Sequence, residues 1–128
     1  AIAGDVAGAE YGLHKLYENI EDNPGNTTRF LIIGREDIAP SGQDKTSIMV
    51  SSPDKAGALI EILEPLRRHG VSMTSIETRP ERPNKWAYVF FIDMNGHIED
   101  KHVAAAIEDI RPLVKDLRVL GSYPKAVL

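Results

Sequence analysis

Length, composition and charge already exclude several classes of protein. The chain has 128 residues, with 15 basic and 19 acidic side chains, a formal net charge of −4 and no cysteine. This length holds one ordinary domain, or one small domain with an additional segment. The acidic balance is opposite to that of a protein that neutralises phosphates, so we expect no nucleic-acid partner. Without cysteine there is no disulfide framework and no thiolate metal ligand, which is typical of a cytoplasmic protein.

The apolar stretches are too short for a membrane segment. The longest of them, FLII and YVFFI, fall far below the roughly 20 residues that a membrane helix needs. The N-terminal AIAGDVAGAE has neither a basic region nor a long apolar core, so it is not a signal peptide. It starts directly in an alanine-rich run without methionine, so we expect the chain to begin inside a longer parent. We expect no membrane partner.

In residues 1–43 the pattern is mixed. Apolar positions recur at spacings of three and four between Ala1 and Ile20, which predicts a helix, although glycines within it oppose one. EDNPGN is a turn signal, and the β-branched and aromatic TRFLII after it predicts a strand that ends near Gly34. REDIAPSGQD has no apolar periodicity and the composition of a linker, which places a domain boundary near residues 36–43.

A strand and a well-marked helix follow this linker. KTSIMVSS alternates around Ile48 and Val50, and the period then changes to that of a helix in SPDKAGALIEILEPLRRHG. Asp54 is placed to cap this helix, Gly70 to end it and Pro65 to kink it. The apolar stripe that we expect to face the core consists of Leu59, Ile62, Leu63 and Leu66.

The segments after this helix predict two more strands, a second helix and a last strand. VSMTSIETRP and KWAYVFFIDMN alternate and are joined by about six residues rich in turn formers, which predicts a hairpin. GHIEDKHVAAAIEDIRPLV restores helical spacing, with Pro112 near its end, and DLRVLGSYP predicts a last short strand. The order βαββαβ from Lys45 predicts an α+β, ferredoxin-like fold with a four-stranded antiparallel sheet and two helices on one face. Many unrelated functions share this order, so function has to be argued from the loops.

Two loops of the βαββαβ half contain groups that suit a ligand. In SPDKAGAL, Gly57 and Ala58 allow a ligand to approach a helix N-terminus, which favours a carboxylate; close packing on the sheet is the alternative. In ETRP, Glu77 and Arg79 share one face of a strand. They hold the two ends of a zwitterion or form an ordinary surface pair.

The upstream NTTRF combines two hydroxyls, a guanidinium and an aromatic ring after a turn. Arg29 suits a carboxylate in a bidentate contact, and Thr28 suits a leaving oxygen. A polar substrate with carboxylates fits this set, and a surface strand is the alternative.

The histidines and the aromatic strand suggest two further kinds of site. The histidines lack metal-ligand spacing and are expected at the surface; they are His14, His69, His97 and His102. KWAYVFF places Trp86, Tyr88 and Phe90 on one face and superficially mimics an RNA-binding strand. The glycine of that motif is absent and the net charge has the wrong sign, so a sheet core or a subunit interface explains the aromatics better.

Taken together, the loops resemble one family, the C-terminal part of prephenate dehydratase, either alone or fused to chorismate mutase. The resemblance spans almost the whole chain. It consists of five motifs in the family's order: YGL at 11–13, IEDNPGNTTRF at 20–30, GAL at 57–59, ETRP at 77–80 and LGSYP at 120–124. Five motifs in order are far more specific than any one of them.

The resemblance implies roles for particular residues. In the family the threonine of TRF is catalytic as prephenate loses its ring hydroxyl and a carboxylate, giving phenylpyruvate, carbon dioxide and water; this position is Thr28. Arg29 and Phe30 complete the motif, in substrate binding and pocket shape. The GAL and ESRP motifs flank the family's allosteric L-phenylalanine site between two ACT domains. The corresponding effector residues are Ala56, Gly57, Ala58, Leu59, Ser72, Met73, Thr74, Glu77, Thr78, Arg79 and Pro80.

The resemblance also implies the domain organisation and the partners. Residues 1–36 correspond to the end of an α/β catalytic lobe, residues 37–43 to a linker and residues 44–128 to an ACT regulatory domain. We expect a homodimer or tetramer formed through ACT domains, L-phenylalanine as effector, prephenate as the substrate of the parent, and no cofactor.

This sequence departs from the family pattern at several positions. Ala56 replaces the proline of PGAL, Ser72 replaces the asparagine of INLT, and Thr78 replaces the serine of ESRP but keeps its hydroxyl. Because the resemblance implies that most of the catalytic domain lies outside these 128 residues, we expect the chain alone to have no dehydratase activity. A stand-alone βαββαβ interaction or RNA-binding domain that uses its aromatic strand is the alternative function.

Overall fold

The computed structural model of the chain describes residues 2–23, 25, 30–52, 55–80 and 88–126, with the backbone alone at Pro80. These residues form two compact units, Ala1–Gly34 and Arg35–Leu128.

The first unit contains one short helix, α1, at Asp5–Glu10. The predicted helix from Ala1 to Ile20 is therefore wrong in length. The chain leaves the helix because Gly12 adopts the left-handed conformation, with φ +60°, and the Leu13 N–H donates to the Gly8 carbonyl at 2.9 Å. This is the hydrogen bond that closes a helix C-terminus.

The strand predicted to end near Gly34 is also absent from residues 30–34, which are irregular. Ile32 and Ile33 are 100% and 95% exposed. A strand is stable only beside a hydrogen-bonded neighbour, and no strand is present among the described residues of this unit. The β-branched composition alone is therefore insufficient. Residues 26–29 of the predicted strand lie outside the described part of the chain.

The second unit has the predicted order βαββαβ. Its elements are β1 at Asp44–Ser52, α2 at Ala58–Arg68, β2 at Met73–Pro80, β3 at Tyr88–Asn95, α3 at Lys101–Ile110, a 3-10 turn at Arg111–Leu113, and β4 at Asp116–Pro124. The four strands are antiparallel to their neighbours in the order β2-β3-β1-β4. The ferredoxin-like prediction is confirmed.

The core lies between one face of the sheet and the two helices. Along β1 and β3 alternate residues point to this face, so Ile48, Val50 and Ile92 are fully buried. From α2, Ile62 and Leu66 join the same cluster. Leu59 and Leu63 pack against it in part, so the predicted apolar stripe of α2 is confirmed.

Helix α2 begins later than expected and ends where expected. Its N-cap is Gly57 rather than Asp54, and Asp54 lies outside the described residues. Gly70 is left-handed, with φ +66°, and the next N–H, of Val71, donates to the Leu66 carbonyl at 2.8 Å. Pro65 lies within α2 and is fully buried. Gly57 thus marks the start of α2, five residues after the end of β1.

Candidate functional site

A cavity opens where β1 ends and α2 begins. Its volume is about 270 Å³, just below the roughly 300 to 1,000 Å³ of pockets that hold drug-sized ligands. A small ligand of amino-acid size therefore suits it. The lining residues are Ser52, Lys55, Gly57, Ala58, Leu59, Ile60, Tyr88 and Phe90.

The floor of the cavity is a turn that only glycine adopts without strain. Gly57 has φ 82° and ψ −3°, a left-handed conformation that costs other L-residues about 1 to 2 kcal/mol. A Cβ atom at Gly57 would meet no other atom within 4 Å. The glycine is therefore needed for its backbone conformation and leaves open space above it.

Among the described residues, one charged side chain lines the cavity, that of Lys55. Its Nζ lies 2.6 Å from Glu61 Oε2, and both side chains are about half exposed. The Lys55 carbonyl accepts the Ala58 N–H at 3.2 Å, and the Gly57 carbonyl accepts the Glu61 N–H at 3.1 Å. These two backbone hydrogen bonds hold the turn from which the Lys55 side chain extends.

Two aromatic rings of β3 form the opposite wall. The Tyr88 and Phe90 centroids are 6.4 Å apart, with an interplanar angle of 31°. Phe90 is only 8% exposed and belongs to the core cluster, so β3 presents the edge of a closed cavity wall and not the open aromatic platform on which nucleic-acid bases stack. The RNA-binding alternative is therefore not favoured. Trp86, the third aromatic of that prediction, lies outside the described residues.

Only some residues of the ETRP segment lie on the face of the sheet that contains the cavity. Thr78 pairs with Phe90 and so shares its side of the sheet. Glu77 and Arg79 alternate to the other side, where Arg79 Nη2 and Glu77 Oε2 are 3.9 Å apart and both side chains are well exposed. Pro80 pairs with Tyr88 through its backbone.

The predicted residues Ser72, Met73 and Thr74 lie at the far end of β2. About 13 Å of strand separates Thr74 from Thr78, at roughly 3.3 Å per residue. The Ser72 carbonyl accepts the Asn95 N–H at 2.9 Å, and the Thr74 hydroxyl donates to the Asp93 carbonyl at 3.3 Å. A single chain therefore does not bring these residues to the cavity.

Of the predicted catalytic residues, only Phe30 is described. It is 85% exposed in an irregular segment, whereas Thr28 and Arg29 lie outside the described part of the chain.

Sequence reasoning missed five residues that line the cavity. They are Ser52, Lys55, Ile60, Tyr88 and Phe90. Lys55 is separated from the GAL motif by Ala56 alone, and a cation beside a proposed carboxylate site was a usable signal. Tyr88 could be placed only with the register of β3 against β2 and β1, which single-sequence patterns do not supply.

One histidine is not at the surface as predicted. His97 is only 2% exposed. Its Nδ1 accepts the Glu99 N–H at 3.1 Å, so the proton lies on Nε2, which donates to the Ile38 carbonyl at 2.8 Å. The preceding Gly96 has φ +104°, and a Cβ there would lie 2.7 Å from Val103 Cγ2. This turn holds the segment ahead of β1.

The other histidines are more accessible. His14 and His102 are exposed, and His69 is 2.9 Å from the Asp109 carboxylate. The hydrogen bond from His69 lowers the pKa of Asp109. Across the described ranges, no three His, Asp or Glu side chains are close enough to hold a metal ion. In the same ranges, no helix has the length and apolar content of a membrane span.

Comparisons with known proteins identify both parts of the chain. Residues 46–112 match the ACT domain family, and residues 1–38 match the prephenate dehydratase family. The whole chain is 56% identical to a bifunctional chorismate mutase/prephenate dehydratase of Stutzerimonas stutzeri. It spans only 35% of that relative's length.

Two solved structures resemble the chain. A prephenate dehydratase from Arthrobacter aurescens, in complex with L-Phe, is 37% identical with a TM-score of 0.64, over 70% of this chain and 29% of that one. A prephenate dehydratase from Staphylococcus aureus is 25% identical with a TM-score of 0.75, over 91% of this chain and 44% of that one. The chain therefore belongs to the ACT domain family, and its residues 1–38 are similar to the prephenate dehydratase family.

Proposed function

We propose that this chain is the phenylalanine-sensing regulatory portion of a prephenate dehydratase. The cavity between β3 and the start of α2 is the observation that carries the proposal. An aromatic wall, a small-residue floor and one cation are the features that an aromatic amino acid requires. The Arthrobacter aurescens relative, which was solved with L-Phe, supports the same ligand.

A second copy of the chain completes the site. β2 is an edge strand of the sheet, and an exposed strand edge is a template for pairing. Antiparallel pairing of two β2 strands about a two-fold axis brings the Ser72–Thr74 end of one copy beside the Thr78–Pro80 end of the other. The effector thus lies between two ACT domains, and a tetramer is a pair of such dimers.

In the full-length parent, effector binding regulates the conversion of prephenate to phenylpyruvate, carbon dioxide and water. Thr28 acts in catalysis, with Arg29 and Phe30 in substrate binding. Residues 1–36 belong to the catalytic part, residues 37–43 are a linker and residues 44–128 are the regulatory domain. L-phenylalanine inhibits by binding one arrangement of the copies more tightly than another. We place the protein in the cytoplasm, and we expect no activity from these 128 residues.

Calorimetric titration of the chain with L-phenylalanine tests this proposal. We expect saturable binding and a dimer in light scattering. Ile60 lines the cavity and is 73% exposed, so Ile60→Asp should fold normally and lose binding. Leu120→Asp is the matched control, because Leu120 is 55% exposed and does not line the cavity. Absence of heat at millimolar L-phenylalanine, with the fold and dimer intact, contradicts the proposal.

A further inference from the structure

The ion pair at the mouth of the cavity indicates how the site is controlled. We propose that Lys55 binds the carboxylate of the amino-acid effector, and that Glu61 competes with that carboxylate for the same ammonium group. This inference rests on the proposed function, since it names the groups that recognise the effector at the same site.

Position and chemistry select Lys55 for this role. Among the lining residues that the structure describes it is the one cation; the others are apolar, small or neutral. A carboxylate removed from water requires a charged or multiple hydrogen-bond donor. The ammonium group of Lys55 supplies one beside the wall that holds the aromatic ring.

Glu61 is placed to compete because it contacts Lys55 without lining the cavity. Its carboxylate lies 2.6 Å from Nζ on the first turn of α2, and it therefore holds the ammonium group when no ligand is bound. An ion pair between two half-exposed side chains is weak, because water and side-chain entropy offset its attraction. A ligand that also buries an aromatic ring displaces it readily.

A purely structural pair predicts a different outcome. If Lys55 and Glu61 only stabilise the start of α2, neutralising either residue affects ligand binding in the same direction. If Glu61 competes with the ligand, neutralising Lys55 weakens binding and neutralising Glu61 strengthens it. The direction in which each substitution changes the Kd therefore distinguishes a competing Glu61 from a purely structural ion pair.

The experiment is calorimetric titration of the full chain and its variants with L-phenylalanine and with L-phenylalaninol, which lacks the carboxylate. We expect Lys55→Met to raise the Kd for L-phenylalanine about tenfold, the scale of a charge-assisted hydrogen bond. We expect Glu61→Gln to lower it about threefold, the scale of an exposed ion pair. L-phenylalaninol should bind the wild type about tenfold more weakly than L-phenylalanine does, and Lys55→Met should leave its Kd unchanged.

Matched controls use the same substitutions away from the cavity. Lys101→Met and Glu108→Gln change exposed residues of α3 and should leave both affinities unchanged. If the wild type binds L-phenylalanine and Lys55→Met binds it with the same Kd, the assignment of Lys55 is overturned. The proposed function is unaffected by that result. Weaker binding by Glu61→Gln overturns the competition. A wild-type chain that binds no L-phenylalanine overturns the proposed function and this inference together.

Discussion

The first unit (the first region) and the second unit (the sheet unit) contain similar apolar side chains, and their described residues bury them to opposite extents. Ile32 in the first region is 100% exposed, whereas Ile92 in the second is fully buried. The difference arises from pairing. Ile92 lies on β3 between two hydrogen-bonded strands, while Ile32 lies where no described strand is adjacent. Apolar sequence forms a core only when neighbouring strands and helices cover it.

The largest expected effect comes from truncating the same residue type in the two regions. Ile92→Ala should lower the free energy of unfolding by about 4 kcal/mol, because it leaves a cavity between the sheet and its helices. Ile32→Ala should change it by less than about 0.5 kcal/mol. Urea denaturation followed by circular dichroism measures both. Comparable losses would mean that residues 30–34 are covered by the rest of the fold.

Two glycines, one in each unit, compare the effect of a Gly→Ala substitution on stability. Gly96→Ala should cost about 3 kcal/mol, from the left-handed conformation and from overpacking, since its Cβ would lie 2.7 Å from Val103 Cγ2. Gly34→Ala meets no atom within 4 Å and should be neutral. The midpoints of thermal unfolding check this. A neutral Gly96→Ala would contradict the described turn.

The buried histidine provides a third contrast. His97→Ala should lower stability by about 2 kcal/mol, because it removes the part-buried hydrogen-bond partner of the Glu99 N–H and of the Ile38 carbonyl. His14→Ala, in the exposed first region, should have no effect. In hydrogen exchange of the His97 variant, we expect faster exchange of the Glu99 amide. Unchanged exchange there would show that its hydrogen bond to the ring is unimportant.

The smallest expected effect is the pH dependence of the stability that Asp44 contributes. The hydrogen bond from the Ser41 hydroxyl is the main cause that lowers the pKa of Asp44 from its ordinary 3.8. Burial opposes it, and the backbone N–H groups of Ser41 and Gly42 lower the pKa further. A carboxyl whose folded pKa is depressed stabilises the fold above the unfolded value, and this contribution is lost as pH falls through the folded pKa. The stability difference between wild type and Asp44→Asn should therefore shrink below about pH 4. Urea titrations at several pH values measure this, with Asp22→Asn as the control, and a constant difference would contradict it.

The sheet unit could be predicted because its periodicity and turn signals agree with its packing. The stop at Gly70 and the stripe of α2 follow directly from local chemistry. The first region could not be predicted, because TRFLII has the composition of a strand, and strand formation depends on a neighbour that composition does not specify. The GAL segment of the site was found from small residues at a helix start. Tyr88 was missed because its position depends on strand register. The buried His97 was missed because its position depends on a hydrogen bond to Ile38, which is distant in sequence.

In the proposed function, the effector binds the second unit at the start of α2. Backbone NMR of the isotope-labelled chain, titrated with L-phenylalanine, tests this most directly. We predict that the amides of Lys55, Gly57, Ala58 and Phe90 shift with a common saturation curve while those of residues 2–23 remain unchanged. Shifts confined to residues 2–23, or no shifts at saturating L-phenylalanine, would contradict the claim.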